Sequence, residues 1–319
     1  MKAIRVNQFG GPDVLHLEEI SGLAPGPEQV LVKIEAAGVN PVDVYIHTGG
    51  YGQRPLPYTP GSDAAGVVEA IGDGVLGIEI GQRVYIAGTL TGTYAEKALC
   101  RPSQVRSLPS RLTFAQGAAI HVPYYTAYYG LHLKADAKPG ETVLIHGASG
   151  GVGLAAVQIA HAAGLTVIGT ASSDKGKEAV SASGADHVLN HAQDNYLEEI
   201  KTLTGGKGPN IILEMLANIN LSKDLGIVAQ NGRVVVIGSR GPVEIDPRQT
   251  MQRNSTITGL SLMNATEADL VQLHAALGAG LANGTLNPIV AREFALADAP
   301  AAHKAIMESG ASGKIVLVP

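Results

Sequence analysis

The sequence predicts an α/β protein in two parts: a β-rich N-terminal part, then a doubly wound parallel sheet. Three observations predict it. Short apolar runs punctuated by Gly and Pro fill the first third. From about Gly140, strands alternate with helices in the βαβ rhythm, and a glycine-rich turn joins the first of those strands to the first of those helices. At 319 residues the chain is long enough for two domains, each with its own core. A composition of 45% hydrophobic and 16% charged residues excludes a disordered chain.

In the first part, QVLVKIEAAGV (Gln29–Val39), DAAGVVEAIG (Asp63–Gly72) and QRVYIAG (Gln82–Gly88) read as strands. The later strands are TVLIHG (Thr142–Gly147), LTVIGTA (Leu165–Ala171), DHVLNH (Asp186–His191), PNIILEM (Pro209–Met215), GRVVVIGS (Gly232–Ser239) and TITGLSL (Thr256–Leu262). Six strands in that rhythm make a doubly wound sheet. The helix expected at Val152–Ala163 is apolar on all sides, as a helix buried against a sheet is. After about Met263 come a helix (Glu267–Leu281), another (Asp298–Glu308) and a closing strand, GKIVLVP. Periodicity leaves open whether these finish the second sheet or return to the first part.

Composition narrows the chemistry. The single cysteine, Cys100, excludes an internal disulfide framework and every multi-cysteine zinc site, and after an apolar run it reads as an inert packed thiol. His187 and His191 lack a third ligand and read as ordinary strand-end histidines, so no metal is expected. The net charge of -5 offers no general attraction to nucleic acid. No apolar run approaches the ~18–20 residues that span a bilayer, and the expected location is the cytoplasm.

The clearest chemical feature is the turn Gly147-Ala148-Ser149-Gly150-Gly151-Val152-Gly153, set between a buried strand and a helix. Its glycines allow backbone to approach a pyrophosphate, whose charge the helix N-terminus meets. A site selective for NAD carries an acidic residue at the tip of the next strand. Here the tip reads Thr170-Ala171-Ser172-Ser173, followed by Asp174, Lys175, Gly176 and Lys177, and no carboxylate lies between Thr142 and Ser173. Small hydroxyls and nearby lysines accept a 2′-phosphate that a carboxylate would repel, so NADPH is the expected cofactor.

The runs AAGVNPVDVYIHTGGY, PYTPGSDAAGVVEAIG, GASGGVGLAAVQIA, EMLANINLSKDL and VIGSRGPVEIDPR resemble zeta-crystallin-type NADPH:quinone oxidoreductases, a zinc-free branch of the medium-chain dehydrogenase/reductase superfamily. The resemblance covers essentially the whole chain. It implies a GroES-like catalytic domain from residues 1–120 and 264–319, and a Rossmann domain from 121–263. Where zinc-bearing relatives carry a Cys and a His, this chain resembles them with Asn40 and Ser62, which are weak zinc ligands.

Carried over residue by residue, the resemblance implies Tyr45 beside the nicotinamide and Ser149, Gly150, Gly151 and Val152 at the pyrophosphate. It implies Ser172 and His191 toward the adenosine phosphate, Asn220 near the cofactor, and Ile237, Gly238, Ser239 and Arg240 after the fifth strand. Leu260, Ser261 and Leu262 flank the nicotinamide. A related bacterial branch carries a basic residue where this chain has Gly176. Tyr45 and Asn40 are the expected catalytic pair, placed to hydrogen-bond a quinone oxygen as it gains charge. The expected activity is NADPH-dependent reduction of quinones or similar electron-poor carbonyl compounds. Its alternatives are an enal/enone double-bond reductase and a non-enzymatic role in single-stranded RNA binding or as a structural crystallin-like protein. A homodimer or homotetramer is expected, with neither a membrane nor nucleic acid as partner.

Overall fold

A computed structural model describes residues 1–51, 54–310 and 312–319. The chain divides into two compact units. The first holds Met1–Val122, Asn287–Ser309 and Lys314–Pro319, and the second holds Pro123–Leu286 and Gly310–Gly313.

The first unit opens with an antiparallel pair, β1 (Lys2–Val6) and β2 (Leu15–Glu19). Next come β3 (Val30–Val39), α1 (Pro41–His47), β4 (Asp63–Ile71), β5 (Arg83–Ala87), β6 (Lys97–Cys100), β7 (Val105–Ser107) and the short α2 (Phe114–Gly117). β3 pairs antiparallel with β4 and β6, β4 with β5, and β5 with β7. β3 loses the in–out alternation of a half-exposed strand: Ala36, Ala37, Gly38 and Val39 are all buried. Helix α1 begins at once after β3, because Pro41 at its first position has no N–H to satisfy and the Asp43 carboxylate accepts the Asn40 N–H at 2.9 Å.

α3 (His121–Tyr128) runs into one π-helical turn at Tyr129–Lys134. The βαβ succession comes next: β8 (Thr142–Ile145), α4 (Gly151–Ala162), β9 (Thr166–Thr170), α5 (Asp174–Ala182), β10 (His187–Leu189), α6 (Tyr196–Leu203), β11 (Ile211–Glu214), α7 (Ala217–Ile227), β12 (Arg233–Val236), α8 (Pro247–Arg253) and β13 (Thr256–Gly259). All pairings are parallel, in the order β10-β9-β8-β11-β12-β13. That is the doubly wound order, with its switch point between β8 and β11. Leu144, Ile168, Ile200, Ile212, Leu225 and Val234 fill its core.

The last segment answers what periodicity left open. α9 (Glu267–Asn283) groups with the second unit, burying Leu273, Leu277 and Leu281, and His274 Nδ1 lies 2.6 Å from the Tyr125 hydroxyl. β14 (Val290–Ala295), α10 (Ala299–Ile306) and β15 (Lys314–Val318) return to the first, where β15 pairs parallel with β14 and antiparallel with β3. The change of unit thus falls between Leu286 and Asn287, whereas the sequence reading puts it at residue 264. The leucine stripe of α9 has no period that says which sheet it covers. β13 is also shorter than expected, giving way after Gly259 to a turn of 3-10 helix at Leu262–Asn264.

Candidate active site

In the second unit the chain leaves β8 and turns at Gly147, whose φ of 55° lies in the left-handed region. Gly147 N–H donates to Thr170 Oγ1 at 3.2 Å and Ala148 N–H to the Thr170 carbonyl at 2.8 Å, fastening the turn to the tip of β9. A Cβ on Gly153 would lie 2.5 Å from the Gly147 carbonyl oxygen, so only glycine lets α4 start this close to the turn. A Cβ on Gly150 would meet nothing nearer than 3.5 Å, which leaves an open approach to the N-terminus of α4. A diphosphate fits such a cradle of N–H groups.

Apart from Tyr45, which lies on α1 of the first unit, the other expected cofactor residues come after the carboxyl ends of strands in this one sheet. Ser172 follows β9, His191 follows β10, Asn220 lies in the first turns of α7 after β11, Ile237–Arg240 follow β12, and Leu260–Leu262 follow β13. At the β9 tip Ala171 is fully buried and Ser173 caps α5 by accepting the Gly176 N–H at 3.1 Å. Lys177 pairs with Asp174 at 2.8 Å and Lys175 is exposed. A Cβ at Gly176 would sit 3.0 Å from Ser149 Cβ and 2.9 Å from Ser173 Oγ, so a basic residue there would displace Ser149.

Below this edge lies a cluster the sequence reading missed. His146, the residue after β8, places Nε2 2.8 Å from Asp224 Oδ1 and 3.6 Å from Glu214 Oε2. Burial pulls the His146 pKa down, but the Asp224 charge and hydrogen bond outweigh it and hold the ring above its ordinary value. Glu214 closes β11, and its Oε1 accepts the Leu216 N–H and, at 3.2 Å, Asn220 Nδ2–H.

In the first unit, Tyr45 lies on α1, half-buried, its ring nearly parallel to that of Tyr51 at 6.4 Å between centroids. Asn40, at the head of the same helix, is only 3% exposed with both ends of its amide engaged: Oδ1 accepts from Lys314 Nζ, and Nδ2 donates to Asp63 Oδ2 at 2.9 Å. Asp63 also accepts from Lys314 Nζ at 2.9 Å, from the Val122 N–H at 3.1 Å, and lies 3.0 Å from His121 Nδ1. Burial alone would raise its pKa, but the Lys314 ammonium and then His121 overcome this and hold Asp63 well below the usual carboxylate range.

Asp43 is the partner without such cover. It accepts the Asn40 N–H and, at 3.2 Å, the Tyr94 hydroxyl. Burial, and next the charge of Asp63, push it up to about 6. Behind it His303 Nε2 lies 3.0 Å from the Tyr94 hydroxyl, and burial drives this imidazole down to about 3. Sequence reasoning missed Lys314 and Asp63: a lysine heading an apolar strand is rarely buried unless paired, and its partner stands 251 residues away. Cys100 is buried as expected, its thiol pushed up to about 12 by burial.

Over 321 aligned residues the chain is 50% identical to the quinone oxidoreductase of Homo sapiens, covering 100% of this chain and 98% of that protein. The chain belongs to the quinone oxidoreductase family. Within this family frame, residues 26–110 match the alcohol dehydrogenase GroES-like domain model and residues 151–276 the zinc-binding dehydrogenase model. The solved structure of Escherichia coli quinone oxidoreductase complexed with NADPH superposes with a TM-score of 0.89 at 30% identity, covering 100% of both chains. A structure described as an NAD-dependent alcohol dehydrogenase superposes at 0.93, also 30% identical and covering 100% of both. Because the second unit of this quinone oxidoreductase matches a zinc-binding dehydrogenase model, the donor set at the corresponding positions bears on metal. The Asn40 amide oxygen is taken by an ammonium, and the next candidate position is a serine, Ser62. These residues do not fit zinc.

Proposed function

We propose that this quinone oxidoreductase reduces quinones with NADPH and without zinc. The observation that carries the reading is the buried ammonium of Lys314, held by Asn40 and Asp63 where the resemblance to zinc-bearing relatives looks for metal ligands. A carbonyl substrate that needs a Lewis acid is poorly served there, whereas a quinone is already electron-poor. NADPH, when bound, supplies the hydride.

The chain's own residues hold and orient. The N–H groups of Ser149, Gly151 and Val152 bind the diphosphate beside Gly150, whose own N–H closes the turn onto the Gly147 carbonyl at 3.0 Å, and Ser172 with the adjoining lysines meets the 2′-phosphate at a strand tip free of carboxylates. His191, Asn220, Ile237–Arg240 and Leu260–Leu262 complete the cofactor's seat. Tyr45 donates its hydroxyl hydrogen to the quinone oxygen as charge develops on it. Asn40, expected from the sequence as the catalytic partner of Tyr45, has both amide ends engaged and is 3% exposed, so we assign it instead to positioning α1 and therefore Tyr45. The edge strand β13 pairs two copies into a homodimer or a dimer of dimers. No helix among the described residues is long and apolar enough to cross a membrane, and we place the protein in the cytoplasm.

The test follows NADPH absorbance across a panel of quinones and enones, with and without a chelator. Turnover of quinones that survives chelation is the expected result. Activity confined to enones, or lost with a removable metal, would overturn the reading. Ala171→Asp should weaken NADPH by roughly tenfold or more through like-charge repulsion, read as a dissociation constant.

A further inference from the structure

We propose that His146, Glu214 and Asp224 are positioning residues for the cofactor, in which a proton shared by the two carboxyl groups fixes the turn between β11 and α7 on which the cofactor rests. The proposal rests on the reading of NADPH as cofactor.

Location comes first. Ligands of open α/β sheets bind at the carboxyl ends of the strands flanking the switch point. Here those strands are β8 and β11; His146 is the first residue past one and Glu214 the last of the other. His146 N–H donates to the Leu213 carbonyl at 3.1 Å, which ties the two ends together.

The Glu214 side chain then shapes the turn into α7. Its Oε1 accepts from Leu216 N–H and Asn220 Nδ2–H, while its carbonyl accepts the Ile237 N–H at 2.8 Å and the Ala217 N–H donates to the Gly238 carbonyl at 2.9 Å. The turn so made packs tightly against Gly238 and lies near Gly147. A Cβ on Gly147 would touch the Met215 side chain at 3.8 Å, and a Cβ on Gly238 would collide with the Met215 carbonyl at 2.5 Å. A shift of this turn therefore reaches the phosphate turn on one side and the loop after β12 on the other.

Proton accounting decides the state. Glu214 and Asp224 are fully buried and His146 is 2% exposed. With all three ionised, the cluster carries a net negative charge in a dry setting, and Glu214 Oε2 and Asp224 Oδ2 have no donor. A proton on Glu214 removes that charge and supplies the missing donor. Burial pushes Glu214 up to about 7, His146 pulling it back and Asp224 raising it further. The groups facing the cluster are Tyr196 from α6, with its ring edge-on to His146 at 6.5 Å, His191 beyond β10, and Lys223 and Asn220 from α7. Above neutral pH the proton leaves, and a second carboxylate charge then stands beneath the phosphate seat.

The test measures NADPH binding directly by calorimetry from pH 7 to 9, a window above the secondary phosphate ionisation near 6. The unmodified protein should lose affinity by roughly 3–10-fold across it and take up a proton on binding, seen by repeating the titration in buffers of different ionisation enthalpy. Glu214→Gln copies the protonated acid, with its amide N–H aimed at Asp224. It should keep the neutral-pH affinity within about twofold and lose both the slope and the proton uptake. A slope that persists in a folded Glu214→Gln, or binding lost in it, overturns the proposal. So does the absence of proton uptake in the unmodified protein, which decides the matter even if the variant does not fold. Failure of the unmodified protein to bind NADPH at any pH would instead remove the cofactor reading, and this proposal with it.

Discussion

Each unit buries two carboxyl groups beside a basic side chain, but Asp63 and Asp43 have the ammonium of Lys314, whereas Glu214 and Asp224 share the imidazole of His146. Asp63 gathers donors from Asn40, His121, Val122 and Lys314 and is held ionised far below its usual range. Asp43 and Glu214 lie outside that cover and are pushed up to about 6 and about 7. A carboxylate reached by a lysine keeps its charge across physiological pH. At Asp43 and Glu214 burial and a neighbouring carboxylate outweigh the donors and cations nearby, so each takes up its proton close to neutral pH, Glu214 before Asp43 as pH falls.

The comparison breaks most sharply at Lys314. Lys314→Met should cost about 3–5 kcal/mol, because it leaves Asp63 charged, buried and without a cation. Pairing it with Asp63→Asn should recover most of that loss in denaturant unfolding. A single variant within about 1 kcal/mol of the parent would show that the other donors suffice.

Asp43 sharpens the contrast through pH. Its folded pKa, about 6, lies above the ordinary value of 3.8, so the folded state binds the extra proton. The stability this adds is fully present below about pH 4 and is lost as pH rises through about 6, a change of about 2–3 kcal/mol. Asp43→Asn should remove that slope from unfolding curves, leaving the one due to Glu214, which continues to about pH 7. A smaller effect, about 1–2 kcal/mol, is expected for Tyr94→Phe, which removes a donor to Asp43 and the oxygen that His303 meets. The smallest is Tyr45→Phe. It should leave stability unchanged and lower kcat/KM by about 1 kcal/mol in transition-state stabilisation, separating the half-exposed side of α1 from its buried one.

Legibility in the sequence tracks how local each feature is. The turn from Gly147 to Gly153, the strand before it and the helix after it lie within a few residues of one another, so their glycines, apolar run and spacing state the nucleotide edge directly. Strand and helix periods likewise place β3, β4 and β8 to β12 to within a few residues. Lys314 and Asp63 are 251 residues apart, and nothing in GKIVLVP says that its lysine points inward. His146 reads as the end of a strand, and Glu214 and Asp224 stand within EMLANINLSKDL as ordinary charges until the fold brings the three together. Asn40 is an expected site residue on the sequence alone, and neither its burial nor its two occupied amide ends can be read there.

β15 carries Lys314 into the first unit, yet the ribosome makes it after the whole of the second. While the chain is being synthesised, the Ala37–Val39 end of β3 therefore waits without its partner strand, and Asn40 and Asp63 wait for their cation. The nucleotide unit has all but its last few residues in hand well before then. Gly38 keeps the berth open: a Cβ there would fall 2.9 Å from the Lys314 stem and 2.2 Å from the Ala118 carbonyl. The order of manufacture is thus the reverse of the order in which the units begin, and the part bearing Tyr45 is the last to be finished.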